Sequence, residues 1–393
     1  MGIQDLFVAI RKYCRQCFRC EKLSAFKRRR FALDASNLLY KDICSSGANW
    51  LDTMMRRLLK LRKNRITPIM IFDGQAPPEK TREKERRKNE KEKLRGRIRI
   101  FEERLEYLNS LSEDELANFE KSLRADVDDE LTIEDFSNTS DKDTPIKKHA
   151  KIPIEQMTRK QVINKIQSLK KQDVQITEEH IKTLKELVTY LGFPWVHAEG
   201  EAEELASQLC IEGKVCAVVS EDSDVLAHGC PILIRHIRSE DEECEVIILR
   251  EVLDGLNMTY ESFVDFCIMC GNDYNDRITG VGVVGCYKLI TAYNNIDKLE
   301  KCIKSGRTND ENKLIKKITD NGGIEKYQHH RGRELFMKKN SKNMESLPEM
   351  KIGKVDYKNI GKFIVVNNCD VMLQDIRRIW NDVEKEVENE KQI

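Results

Sequence analysis

The sequence predicts an α/β fold with a mostly parallel central sheet flanked by helices. Three short apolar runs typical of buried strands end at acidic residues, and helical patterns separate them: residues 30–34, 67–73 and 215–222. Strands that alternate with helices pair in parallel, and ligands bind at the carboxyl ends of such strands. We therefore expect the acidic side chains at these three strand ends to lie close together.

Composition leaves the substrate class open. The 393 residues include 68 basic and 67 acidic side chains, so the net charge of +1 neither favours nor excludes nucleic acid. Charged residues make up 34% of the chain, and no run is long and apolar enough to predict a membrane span. Thirteen cysteines without a secretory signal predict reduced thiols in an intracellular protein.

Three cysteines near the start resemble part of a metal site. Cys14, Cys17 and Cys20 have the spacing of zinc or iron–sulfur ligands, but position 24 is Ser24 and no fourth ligand follows. Packing on a helix produces the same spacing, and we favour that interpretation.

Carboxylates cluster around the third predicted strand. Glu201 and Glu203 precede it, Asp222 and Asp224 follow it, and no basic residue lies within either pair. Like charges at short range need compensation, which Mg²⁺ or Mn²⁺ supplies well; solvated acidic turns are the alternative. Residues two apart point to different faces of a helix, so the glutamates converge only at an irregular helix start, which Gly200 favours.

Six motifs occur together in one order between residue 1 and about residue 300. They are Met1-Gly2-Ile3-Gln4, Asp34-Ala35-Ser36, Phe72-Asp73-Gly74, Glu201-Ala202-Glu203, Glu221-Asp222-Ser223-Asp224, and Gly271-Asn272-Asp273-Tyr274 followed by Gly280-Val281-Gly282. Their pattern resembles the flap endonuclease family of XPG/Rad2-type structure-specific 5′ nucleases. The resemblance implies a PIN-like nuclease core, a helical arch insertion and a helix–hairpin–helix-type DNA-binding element.

The resemblance assigns roles residue by residue. One Mg²⁺ would be held by Asp34, Asp73, Glu201 and Glu203. The second would be held by Asp222, Asp224 and Asp273, and Mn²⁺ can substitute for Mg²⁺. The catalytic set would be Lys80, Arg87, Asp34, Asp73, Glu201 and Asp222. The DNA-binding set would be Gly2, Lys84, Lys91, Gly280, Gly282 and Lys288.

Two of these assignments have structural alternatives. Lys80, Lys84, Arg87 and Lys91 form one basic stripe, which is also typical of a solvated helix with acid–base pairs. The glycine hairpin at Gly280 resembles a clamp for the nucleic-acid backbone, with a bound K⁺ in the family, but simple helix–turn–helix packing has similar glycines. Val283 and Val284 stand where proline and a basic residue are common, and Lys288 would partly replace the missing contact.

The resemblance implies a division of the chain into five segments, as follows. Residues 1–110 form the first part of the nuclease core with the start of a basic arch helix, and 111–180 an enlarged, partly disordered arch. Residues 181–275 complete the core, 276–340 carry the helix–hairpin–helix-type region, and 341–393 form a C-terminal extension. The segment near Gly47 is shorter than the family pattern, which predicts a weaker demand for a 3′ flap.

The expected activity is hydrolysis of DNA near 5′-flap junctions in replication, repair or recombination, by two-metal-ion catalysis. A PIN-like ribonuclease and a non-catalytic DNA-junction binder are the alternatives. We expect a monomer that binds DNA with a 5′ flap or another junction, in the nucleus or at a site of DNA replication. No sliding-clamp peptide is recognisable in the sequence.

Overall fold

The computed structural model describes residues 2–125, 153–237, 242–305, 312–338 and 350–391. The chain forms two compact units. The first comprises Met1–Lys84 and Gln175–Ile393, and the second comprises Glu85–Val174. Within the described residues, no helix is long and apolar enough to cross a membrane.

A seven-stranded sheet lies in the first unit. Its strands follow the spatial order β1-β7-β6-β5-β2-β3-β4, and the pairs that β7 makes with β1 and β6 are antiparallel. The other four pairs are parallel, as predicted. The strands are β1 (Phe18–Lys22), β2 (Arg30–Asp34), β3 (Thr67–Phe72), β4 (Trp195–His197), β5 (Ala217–Val219), β6 (Ile232–Arg235) and β7 (Glu243–Ile248).

Helices connect the strands and follow them. Helix α4 begins in the first unit and continues into the second, which also contains α5 and α6. The helices are α1 (Leu6–Tyr13), α2 (Ala35–Ser46), α3 (Trp50–Lys63), α4 (Thr81–Ser110), α5 (Glu113–Ala125), α6 (Arg159–Lys170), α7 (Glu178–Tyr190), α8 (Ala202–Ile211), α9 (Asp224–Ala227), α10 (Leu249–Leu256), α11 (Tyr260–Cys270), α12 (Val283–Tyr293), α13 (Ile296–Lys304), α14 (Asn312–Asp320), α15 (His329–Met337), α16 (Tyr357–Val366) and α17 (Leu373–Lys391).

The two faces of the sheet are buried in separate apolar cores. Alternate residues of β2 point to opposite faces, so Ala32 joins one core and Phe31 and Leu33 join the other. The first core contains buried residues of α1 and of the helices from α8 to α15, and the second contains residues of α2, α3, α7, α16 and α17. Because both faces are covered, the parallel strands consist largely of buried apolar residues.

The C-terminal segment packs into the second core. Trp380 of α17 lies against Phe193 with ring centroids 5.5 Å apart. The carboxylate of Asp52 on α3 accepts hydrogen bonds from the backbone N–H groups of Asp370 and Val371, at 2.9 and 3.2 Å. These contacts place α16 and α17 in the same compact unit as the seven-stranded sheet.

The second unit has a small apolar core of its own. Leu108, Val162 and Ile166 are buried in it, and Phe101 and Phe119 pack against them. A capping box starts α6, because Thr158 and Gln161 exchange side-chain and backbone hydrogen bonds. The acidic stretch from residue 126 to 144, which we expect to belong to the arch, lies outside the described residues.

The sequence also predicts two strands at residues 231–237 and 246–249, which overlap β6 and β7, but it does not predict β1 or β4. Strand β1 consists of half-buried and exposed residues without regular alternation at the sheet edge, and its partner β7 lies more than 200 residues away. Strand β4 has only three residues. The helical interpretation of the three cysteines is also wrong, since Cys14 follows α1, Cys17 lies on a short turn and Cys20 on β1. Cys14 and Cys17 are buried and Cys20 is exposed.

Candidate active site

Three acidic side chains lie at the carboxyl ends of adjacent parallel strands. Asp34 is the last residue of β2, Asp73 directly follows β3, and Asp222 lies three residues after β5. Because β2 is paired with β3 on one side and β5 on the other, these ends lie side by side. The structure therefore brings together the strand-end aspartates as the sequence predicts.

Hydrogen bonds fix the orientation of two of these carboxylates. Asp34 Oδ1 accepts from the backbone N–H of Asn37 at 3.0 Å, which caps α2, and Oδ2 accepts from Ser220 Oγ at 3.1 Å. Asp73 Oδ1 accepts from the backbone N–H of Ala202 at 2.9 Å, in the first turn of α8. Each carboxylate thus keeps a defined position with lone pairs to spare.

The two glutamates converge at the irregular start of α8. Glu201 is the N-cap, with extended backbone at φ −86°, and Glu203 lies within the first turn. The loop before them is held to the end of β3, because the N–H of Gly74 donates to Gly200 O at 2.8 Å. Gly74 has to be glycine, since a Cβ there would lie 2.1 Å from Ala198 O. This arrangement confirms the expected helix start.

The turn after β5 carries Asp222 and Asp224. The N–H of Asp224 donates to Asp222 Oδ1 at 3.0 Å, and the N–H of Asp222 donates to Ser220 Oγ at 3.1 Å. Asp224 Oδ1 is buried and has no hydrogen-bond partner in the described part of the chain. A buried, unpartnered carboxylate oxygen is costly, so this atom is suited to a cation ligand role.

The N-terminal segment lies directly against this turn. Gly2 has a φ of +78°, and a Cβ at this position would lie 2.0 Å from Asp222 Oδ1 and 2.6 Å from Asp224 Oδ1. Arg277 holds the segment in place, donating to Gln4 O at 2.8 Å and to Asp5 Oδ2 at 2.9 Å. The chain start therefore belongs to the wall of the carboxylate centre.

Lys80 lies among the carboxylates. Its Nζ donates to Glu201 Oε1 and lies 3.6 Å from Glu203 Oε1 and 3.1 Å from Asp273 Oδ2. Burial lowers the pKa of Lys80, but the charges of Glu203, Glu201 and Asp273 outweigh burial and raise the pKa well above its usual range. The ammonium is thus a permanent positive charge at the centre of the cluster.

The cluster is short of positive charge even with Lys80 present. Burial and the charge of Asp73 raise the pKa of Asp34 to about 7, despite its hydrogen bonds. Burial, together with neighbouring carboxylates, also raises the pKa values of Glu203, Asp222 and Asp224. Carboxylates with these properties bind hard divalent cations readily, because the cation supplies the missing charge.

The donor set suits more than one ion. Asp34, Glu201, Glu203, Asp222, Asp224 and Asp273 are buried, and Asp73 is exposed. In the described part of the chain, three ligand atoms within 4.8 Å of one another occur only at Asp297, His329 and His330, far along the sequence. The ligand atoms of the seven acidic residues therefore lie further apart than in one tight three-ligand group, and all of them are carboxylate oxygens.

Two neighbours of these acids have roles that sequence reasoning missed. The hydroxyl of Tyr274 donates to Glu201 Oε2 and thereby fixes the glutamate that also contacts Lys80. Tyr274 directly follows Asp273, which is the signal that could have identified it. Glu221, next to Asp222, turns away from the cluster and pairs with Lys41, Arg235 and His236.

A glycine loop joins the packed helices α11 and α12. Gly280 has a φ of +81°, and Gly282 is the N-cap of α12. Both glycines are exposed, and the first N–H groups of α12 have no partner within the helix, so the loop can approach an anionic backbone closely. Lys288 is exposed on α12.

A lysine from a later helix reaches this loop. Lys317 on α14 donates from Nζ to Gly280 O at 3.1 Å, and its aliphatic chain covers the glycine. Sequence reasoning named Lys288 as the replacement for the missing basic residue at Val284. The structure adds Lys317, whose place 37 residues further along the chain gave no local signal.

The remaining basic candidates lie on α4. Lys84 is exposed and belongs to the first unit. Arg87 and Lys91 belong to the second unit, where Lys91 donates from Nζ to Val174 O at 2.8 Å. A turn of helix at Pro78–Lys80 precedes α4, and Arg331 of α15 holds it by donating to Glu79 Oε1 at 2.7 Å.

Two family models match the two stretches of sequence that contain the acidic residues of the site. The XPG N-terminal domain matches residues 1–94, and the XPG I-region matches residues 192–273. A probable RAD2-like endonuclease of Invertebrate iridescent virus 3 is 30% identical over 321 residues, which cover 76% of this chain and 81% of that protein. Flap endonuclease 1-1 of Paramecium tetraurelia is 28% identical, covering 93% and 83%.

Solved structures share the fold. The catalytic core of Rad2 in complex with a DNA substrate superposes with a TM-score of 0.66 at 18% identity, covering 97% of this chain and all of that chain. Flap endonuclease-1 from Methanococcus jannaschii gives 0.54 at 19% identity, covering 95% and 98%. The matched domains, the relatives and the arrangement of the acidic residues agree, and this chain therefore belongs to the XPG/Rad2-type flap endonuclease family of structure-specific 5′ nucleases.

Proposed function

We propose that this nuclease hydrolyses DNA phosphodiester bonds close to the junction between duplex DNA and a single-stranded 5′ flap. The observation that carries the proposal is the buried carboxylate cluster at one sheet edge, which surrounds Lys80 and is short of positive charge. All seven acidic positions that the family uses are present in this sequence. That argues against a non-catalytic junction binder.

We propose two Mg²⁺ ions as cofactors, with Mn²⁺ as a substitute. Asp34, Asp73, Glu201 and Glu203 would hold one ion, and the second would be held by Asp222, Asp224 and Asp273. When bound, the ions would activate the attacking water and stabilise the leaving 3′-oxygen. Oxygen-only donors favour Mg²⁺ or Mn²⁺ over softer metals.

The protein's own groups position and neutralise the substrate. Lys80 is held at the carboxylates and supplies positive charge for the phosphate that is cut, with Arg87 as a second cation. Tyr274 keeps Glu201 in one orientation. The glycine loop at Gly280 and Gly282 grips the duplex backbone, together with Lys288 and a K⁺ ion, so that position rather than base sequence selects the cut.

We propose that the enzyme acts on DNA inside the cell, in the nucleus or at another site of DNA replication, and that it acts as a monomer. A ribonuclease with the related PIN-like core is the alternative activity. Flap endonuclease names among the relatives favour DNA.

A panel of DNA structures tests the substrate preference. Equal amounts of a 5′ flap, a 3′ flap, a blunt duplex, a four-way junction and an RNA flap of matched sequence are incubated with Mg²⁺. We expect the 5′ flap to be cut most rapidly, at a fixed distance from the junction when its sequence is changed. Preferential cutting of the 3′ flap or the RNA flap would contradict the proposal. Symmetric cutting of the four-way junction would reassign the enzyme to the resolvases of the family.

Replacing Gly2 by alanine tests the packing of the chain start. The added Cβ would collide with the oxygens of Asp222 and Asp224, so the carboxylates or the N-terminal segment must move. We expect Gly2→Ala to lower the single-turnover cleavage rate by about 10²-fold, since small misplacements of reacting groups have effects of that size. The melting temperature should change little.

Gly213→Ala is the matched control for this variant. Gly213 also has positive φ, at +69°, but nothing lies within 4 Å of its Cβ position. It therefore reports the backbone strain of alanine without the collision. We expect Gly213→Ala to cleave at the wild-type rate. An equal loss of cleavage rate in both variants would contradict a specific role of Gly2 beside the carboxylates.

The raised pKa of Asp34 predicts a pH-dependent affinity for Mg²⁺. Its carboxyl has a pKa of about 7 without metal, so protons compete with the ion below that pH. As pH rises from about 6 to about 8, the dissociation constant for Mg²⁺ should fall by about tenfold, and it should level off above that pH. Calorimetric titration at several pH values measures this dependence. A dissociation constant that does not change with pH would contradict the assignment.

A further inference from the structure

A second group of metal-binding side chains lies between α13 and α15. Asp297 in the first turn of α13 and His329 and His330 at the start of α15 bring one ligand atom each to within 4.8 Å of one another. His329 Nε2 lies 3.1 Å from Asp297 Oδ1, and His330 Nε2 lies 4.0 Å from the same oxygen. We propose that these three residues bind one Zn²⁺ ion, independently of the carboxylate centre.

The orientation of the two imidazoles favours a shared cation. Side chains of consecutive helical residues normally point about 100° apart, because the helix has about 3.6 residues per turn. Here both rings turn toward one carboxylate oxygen, and their centroids are 4.1 Å apart. Two imidazoles and one carboxylate with a further open position are a common Zn²⁺ ligand set. Imidazole also distinguishes this group from the oxygen-only centre that suits Mg²⁺.

The carboxylate of the group is held in place from its other side. Arg333 donates to Asp297 Oδ2 at 2.7 Å, which leaves Oδ1 facing the histidines. Arg333 also donates two hydrogen bonds of 2.6 Å to the buried Asp265. Such outer partners orient metal ligands in many proteins. The guanidinium of Arg333 does not make the group positive, because the two carboxylates of Asp265 and Asp297 leave a net charge of −1 for the three side chains.

The group is accessible but anchored. His329 is buried and the side chain of His330 is 75% exposed, so an ion can enter from solvent and retain a water ligand. Helix α15 packs against α11 through Gly332, where a Cβ would lie 2.9 Å from Ile268 Cδ1. A bound ion would join α13 to α15 and brace the helices that follow the glycine loop.

Calorimetric titration of the untagged full chain with ZnCl₂ tests the proposal. Excess Mg²⁺ is included to compete with Zn²⁺ at the carboxylate centre. We expect one equivalent of Zn²⁺ to bind to the wild type and to raise its melting temperature. In His330→Ala and in Asp297→Asn the affinity should fall more than about tenfold, as for loss of a metal ligand or its support. His197→Ala, which removes another exposed histidine, should behave as the wild type.

A second measurement identifies the ligands. Co²⁺ in place of Zn²⁺ should give the visible absorption of a four-coordinate site with imidazole ligands, and His330→Ala should lose this absorption. Because His330 is exposed, the variant should fold and retain cleavage with Mg²⁺ alone. The proposal is overturned if the wild type takes up no Zn²⁺ in excess Mg²⁺. It is also overturned if His330→Ala and Asp297→Asn bind Zn²⁺ as the wild type does.

Discussion

Asp222→Asn is expected to reduce the single-turnover rate of DNA cleavage by about 10³-fold or more while DNA binding persists. A metal ligand contributes several kcal/mol of transition-state stabilisation, which corresponds to a factor of that size. The amide oxygen of asparagine can still accept the hydrogen bond from the N–H of Asp224, so the turn should survive. Asp73→Asn should show the same loss of cleavage, because it also removes a proposed metal ligand. The asparagine can still accept the hydrogen bond from the N–H of Ala202, so the local structure should be kept.

Stability provides a second measurement for this prediction. Burial raises the pKa of Asp222, so its charge destabilises the folded protein when metal is absent. Melting temperatures in EDTA at about pH 8 should therefore be equal or higher for Asp222→Asn than for the wild type. A large drop in melting temperature would attribute the lost cleavage to unfolding. Cleavage near the wild-type rate would reject Asp222 as a metal ligand.

The neighbouring Glu221 gives the matched control. Although burial alone would raise its pKa, contacts with His236 and Lys41 lower the pKa of Glu221 overall, so its charge stabilises the fold. Glu221→Gln should destabilise the protein by about 2 kcal/mol, as for loss of a charged hydrogen bond. Its cleavage per folded molecule should remain close to normal. Adjacent acids in one turn thus have opposite expected effects on stability and catalysis.

The placement of the aspartates could be predicted because it depends on local pattern and on one topological rule. Asp34, Asp73 and Asp222 each follow an apolar run, and parallel pairing then brings the strand ends together. Glu201 and Glu203 could be predicted because Gly200 favours an irregular helix start, and the structure has Glu201 at an extended N-cap and Glu203 in the first turn of α8. These features need only short stretches of sequence.

Other contacts depend on pairings that no short stretch encodes. Strand β1 lies on the sheet edge with few buried residues, so its pairing with β7 leaves no apolar run to detect. Lys317 reaches Gly280 from a helix that begins more than thirty residues later. Trp380 of α17 likewise packs against Phe193 in the core. Hydrophobic periodicity can predict that α17 has an apolar face, but it cannot predict which residue that face contacts.

Lys80 shows a limit of prediction by family position. Its position predicts a contact with the reacting phosphate, and the structure pairs it with Glu201, Glu203 and Asp273. Both roles are compatible, because bound Mg²⁺ would neutralise the carboxylates and would leave the ammonium available to the phosphate. The same lysine would thus balance carboxylate charge and stabilise the charge that develops in the reaction.

Lys80→Met is therefore expected to slow the chemical step by about 10²- to 10³-fold, the effect of removing one charge-stabilising group from an active site. Methionine keeps the length and the buried aliphatic contacts but removes the ammonium. DNA affinity should change much less, because a contact made mainly in the transition state lowers turnover rather than binding. Single-turnover kinetics combined with equilibrium binding separate the two quantities.

Lys84→Met is the control for Lys80→Met, since Lys84 lies one helical turn further along the same basic stripe and is exposed. Because Lys84 is a proposed DNA-binding residue, the substitution should lower the affinity for DNA modestly, and more so at low salt. The rate of the chemical step should stay unchanged. If Lys80→Met instead behaves like Lys84→Met, Lys80 contributes to binding alone. Its contacts with Glu201, Glu203 and Asp273 would then serve only to neutralise the carboxylates before metal binds.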